Sequence, residues 1–192
     1  MNSINSNFQS PNFGAKHIVK TNVLRNVVGM SKPVPMEAHL VELDLHSAND
    51  LKTIQDVKEK WIGAEFVQMI CSPYYSPDRK LYALTKQKDG FESLNPNDVL
   101  GAADVNLKGK RANLKFLQAD PNIINEKNRS IKDIGRSMML VLSDHLGEQG
   151  FDELGMFANR FVTPFYERVF PNIKHKSSTA EDFANLVVDL KA

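Results

Sequence analysis

The chain has 192 residues, 42% of them hydrophobic and 24% charged, which is typical of a globular domain with a buried core. No apolar run approaches the roughly eighteen residues of a spanning helix, so a helical membrane anchor is excluded. The net charge is +1, but residues 1–36 hold four basic residues and no acid. The rest has 20 basic against 23 acidic residues, which argues against a nucleic-acid-binding core.

Residues 1–35 are predicted to be a flexible tail and linker, and residues 36–192 to form one domain. Met1 to Gly14 combines Asn, Ser, Gln and Pro with too few apolar side chains to offset the entropy lost on ordering. His17–Val28 fits a short strand or an extended arm, and the prolines of Ser31–Pro35 indicate a linker. The acid-free tail is only loosely similar to a transit peptide and lacks an apolar signal segment, so we predict a cytoplasmic protein.

Metal and cysteine chemistry are not expected. The single cysteine, Cys71, excludes an intrachain disulfide and makes a cysteine-based zinc site nearly impossible. It also has no recognisably spaced His/Asn framework that would make it a nucleophile. The histidines do not lie at metal-ligand spacing, so we expect surface or hydrogen-bonded residues and predict no metal site. These histidines are His17, His39, His46, His145 and His175.

The predicted domain begins with one strand and two helices. Ala38–Leu45 alternates apolar and polar residues and predicts a strand with one apolar face. Ser47 then predicts a helix N-cap, with Asp50 three residues on, and apolar residues at helical spacing extend the helix to Trp61. A second short helix is predicted over Ala64–Cys71.

Three strands in a meander are predicted next, at Leu81–Gln87, Val99–Asn106 and Asn113–Ala119. Runs of β-forming residues alternate here with polar turns that contain Gly or Pro. Because the connections are short hairpins, neighbouring strands are expected to be antiparallel.

The last third alternates helix and strand. A polar loop after Pro121 leads to a helix from about Asp133 to Leu146. The strand that follows, Phe151–Ala158, is expected to lie parallel to a neighbour through a right-handed crossover. A helix over Arg160–Phe170 and a strand over Asn185–Leu190 close the chain. The predicted fold class is therefore α/β, with a mixed sheet that is antiparallel in its N-terminal strands, parallel in its centre and flanked by helices.

Four segments of the second half form a set: Leu117–Pro121 at a strand end, Ile134–Met139 at a helix start, Asn159 after a strand, and Thr163–Arg168 in a helix. Together with the order of elements, this set resembles the GNAT superfamily of acyl-CoA N-acyltransferases. The corresponding family patterns are Leu-x-Val-x-Pro, the end of Arg/Gln-x-x-Gly-x-Gly/Ala, an Asn, and Phe-Tyr-x-Lys/Arg. The resemblance covers roughly residues 36–192 and is strongest over Asn113–Phe170.

The loop before the helix departs from the family pattern. Ser130 stands where Arg or Gln is usual, and Asp133 stands where the first glycine is usual. The loop from Pro121 to Gly135 is also longer than the common form. Asp133 fits a helix-capping carboxylate, which would compete for the same amides, as well as it fits the edge of a phosphate site.

The resemblance implies a GNAT-like sheet that uses acetyl-CoA as co-substrate and needs no metal. The family binds the pyrophosphate on free backbone N–H groups at a helix start, where the dipole favours anions and glycine allows close approach. It holds the pantetheine arm much like an added strand. The cofactor-binding residues implied are Leu117, Gln118, Ala119, Ile134, Gly135, Arg136, Ser137, Asn159 and Phe165.

Basic residues surround the loop, and they have two interpretations. They either attract the phosphates of CoA or form an ordinary solvated loop. These residues are Lys127, Arg129, Lys132 and Arg136.

Acyl transfer to an amine needs a neutral acceptor, a polarised thioester carbonyl and a proton for the departing thiolate. The resemblance implies that Tyr166 supplies this proton. The alternative is a tyrosine at the edge of the core with a hydrogen-bonded hydroxyl. Asp104 and Glu42 are available carboxylates for a general base, and water is the alternative.

The sequence therefore predicts an N-acetyltransferase that moves an acetyl group from acetyl-CoA to an unknown small-molecule or protein amine by direct attack. The alternative is a catalytically inactive GNAT-like interaction module that has lost cofactor binding, which Asp133 and the long loop favour. A nucleic-acid-binding domain built on the basic turn Lys108–Arg111 is the weakest hypothesis, because the core is slightly acidic. No membrane partner is expected, and the oligomeric state does not follow from the sequence.

Overall fold

A nine-stranded sheet forms the centre of the computed structural model, which describes residues 14–61, 78–176 and 182–191. The strands are β1 Lys16–Arg25, β2 Val34–Leu43, β3 Arg79–Thr85, β4 Val99–Lys108, β5 Arg111–Ala119, β6 Ile131–Lys132, β7 Glu153–Asn159, β8 Lys174–Lys176 and β9 Phe183–Asp189. The helices of the described chain are α1 Ala48–Lys60, α2 Pro121–Ile124, α3 Ile134–Glu148 and α4 Thr163–Val169.

The strands are ordered β6-β1-β2-β3-β4-β5-β7-β9-β8. Only β5 and β7 pair in parallel, and every other neighbouring pair is antiparallel. The helix α3 lies between β5 and β7 in the chain and makes the crossover that parallel strands require. The predicted fold class, a mixed α/β sheet with antiparallel N-terminal strands and a parallel centre, is confirmed.

Each face of the sheet buries a separate apolar core, because side chains alternate between the two faces of a strand. The larger core lies under α3 and α4 and includes Leu40, Met138, Leu142 and Tyr166. The smaller one lies under α1, where Val57 and other apolar side chains pack on the opposite face. None of the helices in the described ranges is both long and apolar enough to cross a membrane.

Local signals in the sequence place several element ends correctly. Ser47 is the N-cap of α1, and its hydroxyl accepts a hydrogen bond from the Asp50 amide at 3.4 Å. Gly109, at φ 59°, makes the tight turn between β4 and β5. The predicted meander of β3, β4 and β5 is therefore confirmed.

The sheet starts earlier than the predicted domain boundary at residue 36. Residues Lys16–Arg25 form β1, which pairs antiparallel with β2 along its length, and β2 already begins at Val34. The predicted linker is thus partly strand, and the interpretation of His17–Val28 as a strand is the correct one. Pro35 is tolerated because it lies near the start of the strand. The predicted tail over residues 1–13 and the predicted helix over Ala64–Cys71 lie outside the described residues.

Three further differences concern short elements. The polar loop after Pro121 contains α2 and the two-residue strand β6, which pairs with the end of β1. The three-residue strand β8 follows α4. The helix predicted from Arg160 begins only at Thr163, because the Asn159 side chain accepts hydrogen bonds from the Phe161 and Val162 amides in a turn that precedes it.

Candidate functional site

The parallel strands β5 and β7 separate before they end. Their ladder has four residue pairs, from Arg111↔Glu153 to Leu114↔Met156. On its other side, β5 shifts register against β4 between Leu114 and Phe116, where Lys115 forms a bulge. Among the described residues no strand pairs with β5 on the β7 side beyond Leu114, although β5 runs on to Ala119. The last residues of β5 therefore present a free backbone edge.

A cleft of about 460 Å³ lies at this free edge. Residues of β5 form one wall, the segment from β6 to the start of α3 forms the second, and α4 forms the third. The site residues predicted from the sequence that line the cleft are Leu117, Gln118, Ala119, Ile134, Gly135, Arg136, Phe165 and Tyr166.

The start of α3 offers backbone donors to this cleft. Asp133 precedes the helix at φ 61°, a left-handed conformation, and its side chain makes no capping hydrogen bond. The interpretation of Asp133 as a capping carboxylate is therefore wrong. The first helical bond runs from the Ser137 amide to the Asp133 carbonyl at 2.8 Å. The amides of Ile134, Gly135 and Arg136 precede it and have no partner within the helix.

The backbone at Asp133 has a conformation that suits glycine. Left-handed backbone is strained for residues with a Cβ and relaxed for glycine, and aspartate is among the few that tolerate it. Asp133 therefore makes a turn that a glycine would make with less strain.

Gly135 allows close packing of α3 against α4. A Cβ placed on Gly135 would lie 3.2 Å from the Phe165 Cζ atom, closer than ordinary van der Waals contact. A larger side chain would push Phe165 or fill the cleft that both residues line.

Four cations line the cleft. Arg129, Lys132, Arg136 and Arg168 are all exposed, and none of them forms an ion pair with another described residue. The Arg129 Nε atom donates to the Ile124 carbonyl at 3.0 Å, which fixes its stem and leaves its charge uncompensated. Asp133 is the single carboxylate of the lining. This excess of positive charge suits an anionic ligand.

Tyr166 lies on the α4 wall with its side chain largely buried. Burial raises the pKa of Tyr166 to about 12, so the hydroxyl keeps its proton at neutral pH. The cleft wall therefore contains a protonated phenol.

Two predicted site residues do not line the cleft. The Ser137 hydroxyl donates to the Asn22 carbonyl at 2.7 Å, and the Ser137 amide is used inside the helix, so its predicted role as a free donor is wrong. Asn159 accepts the Phe161 and Val162 amides at 3.0 Å each and so holds the turn before α4. Both residues shape the walls.

The two carboxylates considered as a general base are paired elsewhere. Asp104 is buried, and each of its two carboxylate oxygens accepts a hydrogen bond from the Arg79 Nε atom at 3.0 Å. The Arg79 Nη2 atom also lies 2.8 Å from Oδ2. Glu42 pairs with Lys80. Neither residue lines the cleft.

Strand pairing joins two histidines that are distant in the sequence. The His17 Nε2 and His39 Nδ1 atoms are 3.0 Å apart, and His39 Nε2 lies 3.2 Å from a Glu37 carboxylate oxygen. These two are hydrogen-bonded residues, as expected. Within residues 14–61, 78–176 and 182–191, no group of three or more His, Cys, Asp or Glu side chains is arranged to hold a metal ion.

Sequence reasoning missed several lining residues. Val162, Val169 and Arg168 come from α4 and the turn before it, and Ile124 and Ile131 come from the loop. The sequence could have indicated Arg168 as a site residue, since it ends the Thr163–Arg168 segment and lies two residues after Tyr166. It could not have indicated the two isoleucines, because α2 and β6 are too short to show a periodic pattern of apolar residues.

Comparison with known proteins finds similarity in structure alone. No protein-family model and no curated protein sequence matches the chain. Among solved structures, it is similar to the ribosomal-protein-S18-alanine N-acetyltransferase from Escherichia coli, with a TM-score of 0.56, 14% identity, and coverage of 80% of this chain and 94% of that one. The PaiA N-acetyltransferase from Thermoplasma acidophilum, solved in complex with coenzyme A, gives a TM-score of 0.52, 15% identity, and coverage of 80% and 99%.

A third similar structure is the GNAT domain of PAT from S. lividans, with a TM-score of 0.52, 12% identity, and coverage of 88% of this chain and 96% of that one. At identities this low the likeness is one of fold. The cleft lies where the parallel pair of strands β5 and β7 separates at the start of α3. The chain therefore has the fold of the GNAT acyl-CoA N-acyltransferases.

Proposed function

We propose that this protein is an acetyl-CoA-dependent N-acetyltransferase that acetylates an amine by direct attack. One observation carries the proposal: the free edge of β5, the uncapped start of α3 and four unpaired cations meet in one cleft. An acyl-CoA presents a chain of amides next to a pyrophosphate, so it needs this combination of an open strand edge and an anion site.

The pyrophosphate would be held at the start of α3. The amides of Ile134, Gly135 and Arg136 supply donors, and the helix dipole adds partial positive charge. The side chains of Arg129, Lys132, Arg136 and Arg168 supply charge-assisted contacts to phosphate oxygens. Beyond them, the backbone of Leu117–Ala119 would pair with the amides of the pantetheine arm as a strand would.

The chemistry requires one bond to break and one to form. The amine nitrogen attacks the thioester carbonyl carbon, the carbon–sulfur bond breaks, and the new carbon–nitrogen bond leaves the acetyl group on the acceptor. The acceptor nitrogen loses a proton to water, and the departing thiolate gains one. Tyr166 is our candidate for the donor to sulfur, because its hydroxyl is protonated at neutral pH and its side chain lines the cleft.

A titration with acetyl-CoA tests the proposal. At 100 times its dissociation constant, a bound ligand adds about 2.7 kcal/mol to the free energy of unfolding, which appears as a higher Tm. Arg136→Glu should remove this shift, because it reverses a charge in the cleft. Lys88→Glu is the matched control, since it reverses a charge on the β3–β4 loop outside the cleft and should leave the shift intact.

The competing function is an interaction module without cofactor binding, favoured by the Asp133 carboxylate in an otherwise cationic cleft. It predicts no change in Tm at millimolar acetyl-CoA. That result would overturn the enzyme and support the module.

A further inference from the structure

Exposed apolar side chains are concentrated in one region of the described chain. Seven large apolar residues are exposed in the described chain, and four of them lie near one another in the chain order of the sheet: Phe157 near the end of β7, Phe161 and Val162 in the turn that follows it, and Phe183 at the start of the neighbouring strand β9. Phe157, Phe161 and Phe183 are 59%, 79% and 41% exposed, and we refer to these three as the aromatic surface. The rings of Phe157 and Phe183 stack, with centroids 4.8 Å apart and planes 2° from parallel.

Phe157 and Phe183, the stacked pair of the aromatic surface, lie on the face of the sheet away from α3, and Phe157 lies beside the gap between β5 and β7. Met156 and Ala158 point into the core under α3 and α4, so Phe157 between them points to the opposite face. Phe116 packs with the core under α1, which places it on that same face of β5. Both phenylalanines follow the last paired residues of the β5–β7 ladder, Phe116 after the bulge at Lys115.

Helices α3 and α4 pack on the face of the sheet opposite to Phe157. A second substrate that reaches the gap from the side of Phe157 would therefore approach without meeting these two helices.

The charges around the aromatic surface compensate one another. Arg160 pairs with Asp182 at 3.4 Å, and its guanidinium lies 4.8 Å from the centre of the Phe161 ring. Glu153, further down β7, pairs with Lys176 at 3.3 Å. Within the part of the chain that the structure describes, no uncompensated carboxylate is thus provided here for a polyamine.

We propose that the acceptor is a small primary amine bearing an aromatic ring, which stacks on the aromatic surface while its amino group enters the gap. The inference rests on the proposed function and names the substrate class of that reaction. The acceptor nitrogen forms the bond to the acetyl carbon and loses a proton to water, while the carbon–sulfur bond breaks and the thiolate is protonated. An offset-stacked ring selects this acceptor over an aliphatic amine of similar size.

The test compares four acceptors, 2-phenylethylamine, hexylamine, spermidine and a short peptide with a free N-terminus, by thiol release from acetyl-CoA. We expect kcat/KM for 2-phenylethylamine to exceed that for hexylamine by about tenfold, the upper range for one aromatic pair. Phe157→Leu and Phe183→Leu keep apolar bulk but remove the ring. Each should raise KM for 2-phenylethylamine severalfold and leave KM for acetyl-CoA unchanged. Leu51→Ala, which truncates an exposed apolar residue on α1, is the matched control and should change neither constant.

Two results would overturn the inference alone: a preference for spermidine or for the peptide, or unchanged kinetics in both leucine variants. Preference for the peptide would make the aromatic surface a protein-docking face. If acetyl-CoA does not raise Tm at all, the proposed function falls, and the acceptor assignment falls with it. If the protein binds acetyl-CoA but does not prefer the aromatic amine, the acceptor assignment falls and the proposed function stands.

Discussion

Charged side chains form ion pairs in strands β1 to β4 but lie unpaired at the cleft at the end of β5. Arg79 and Asp104 bury their charges against each other, and Lys80 pairs with Glu42 on the neighbouring strand. At the cleft, four cations lie together without an ion-pair partner among the described residues. Like charges held close repel, so such an arrangement costs stability unless an anion occupies it. We refer to strands β1 to β4 as the paired region. Its ion pairs favour stability, whereas the unpaired cations of the cleft favour the binding of an anionic ligand.

The two regions also differ in how the strands are joined. β3 and β4 pair from Arg79↔Asn106 to Thr85↔Val99, along the whole length of β3. The β5–β7 ladder stops after four pairs, and the chain uses the backbone groups left over as part of the cleft wall. Substitutions in the paired region should therefore lower stability, and substitutions in the cleft should lower binding or turnover.

The largest effect should come from Tyr166→Phe, which removes the hydroxyl and little else. If this hydroxyl protonates the thiolate, turnover should fall by about 10²–10⁴-fold while acetyl-CoA affinity stays the same. Steady-state kinetics with a working acceptor, together with a cofactor titration, provide the measurement. Intact turnover with a loss of about 1 kcal/mol of stability would instead make Tyr166 a hydrogen-bonded residue at the edge of the core.

Arg79→Met should give the largest loss of stability. It leaves the buried Asp104 carboxylate without its partner, which costs about 3–5 kcal/mol in the free energy of unfolding. Urea denaturation measures this loss. The double variant Arg79→Met with Asp104→Leu should recover most of it, because no charge then remains buried. A change in acetyl-CoA affinity of the folded single variant would contradict the division between the two regions.

Asp50, in the first turn of α1, should make the stability of the protein depend on pH. It is fully buried, its Oδ2 atom accepts the Asp44 amide at 2.7 Å, and burial raises the pKa of Asp50 from 3.8 to about 6. The folded state therefore favours the protonated form. Its contribution to stability is present below pH 3.8 and is lost as the pH rises through 6, a change of about 3 kcal/mol.

Comparison of the native chain with Asp50→Asn checks this effect. The difference between their free energies of unfolding should vary between pH 4 and 6 and be constant above pH 7. A constant difference across the whole range would show that Asp50 titrates normally.

Gly135→Val should weaken acetyl-CoA binding by about 10–100-fold, the worth of one hydrogen bond to a charged group. The added side chain meets Phe165 and blocks the approach of the pyrophosphate to the amides. Calorimetric titration of the folded variant measures the loss. Asp133→Gly should instead strengthen acetyl-CoA binding, because it removes a carboxylate from the cleft and relaxes a left-handed backbone. Equal affinities in all three proteins would remove the phosphates from this helix start.

Most of the fold could be predicted from the sequence because its signals are local. The alternation in β2, the cap at Ser47 and the turn at Gly109 each act within a few residues. The start of the sheet could be predicted only as one of two alternatives, a strand or an extended arm, since β1 is defined by its pairing with β2 and has no single apolar face. The strands β6 and β8, with two and three residues, are too short to carry a period.

The site was predictable only as far as the motif residues extend. Leu117 and Gly135 were found through the resemblance, but the separation of β5 from β7 depends on register and on the bulge at Lys115, which no local pattern encodes. Ser137 was misjudged because the hydrogen bonding of α3 begins one residue earlier than the motif suggested, so the Ser137 amide is already used inside the helix. The pairing of His17 with His39 likewise depends on strand register.

The edges of the sheet affect how readily the protein aggregates at high concentration. A long sheet edge offers unpaired amide and carbonyl groups to the strands of other molecules, which is a route to aggregation. One edge here is the three-residue β8, whose sequence is Lys174-His175-Lys176. At the other, the outermost strand is the two-residue β6, which pairs with Leu24 and Arg25 of β1. The rest of β1 carries Lys16 and Lys20 and an irregularity between His17 and Val19. Charged, short and irregular edges are poor templates, so we expect the molecule to resist edge-to-edge polymerisation.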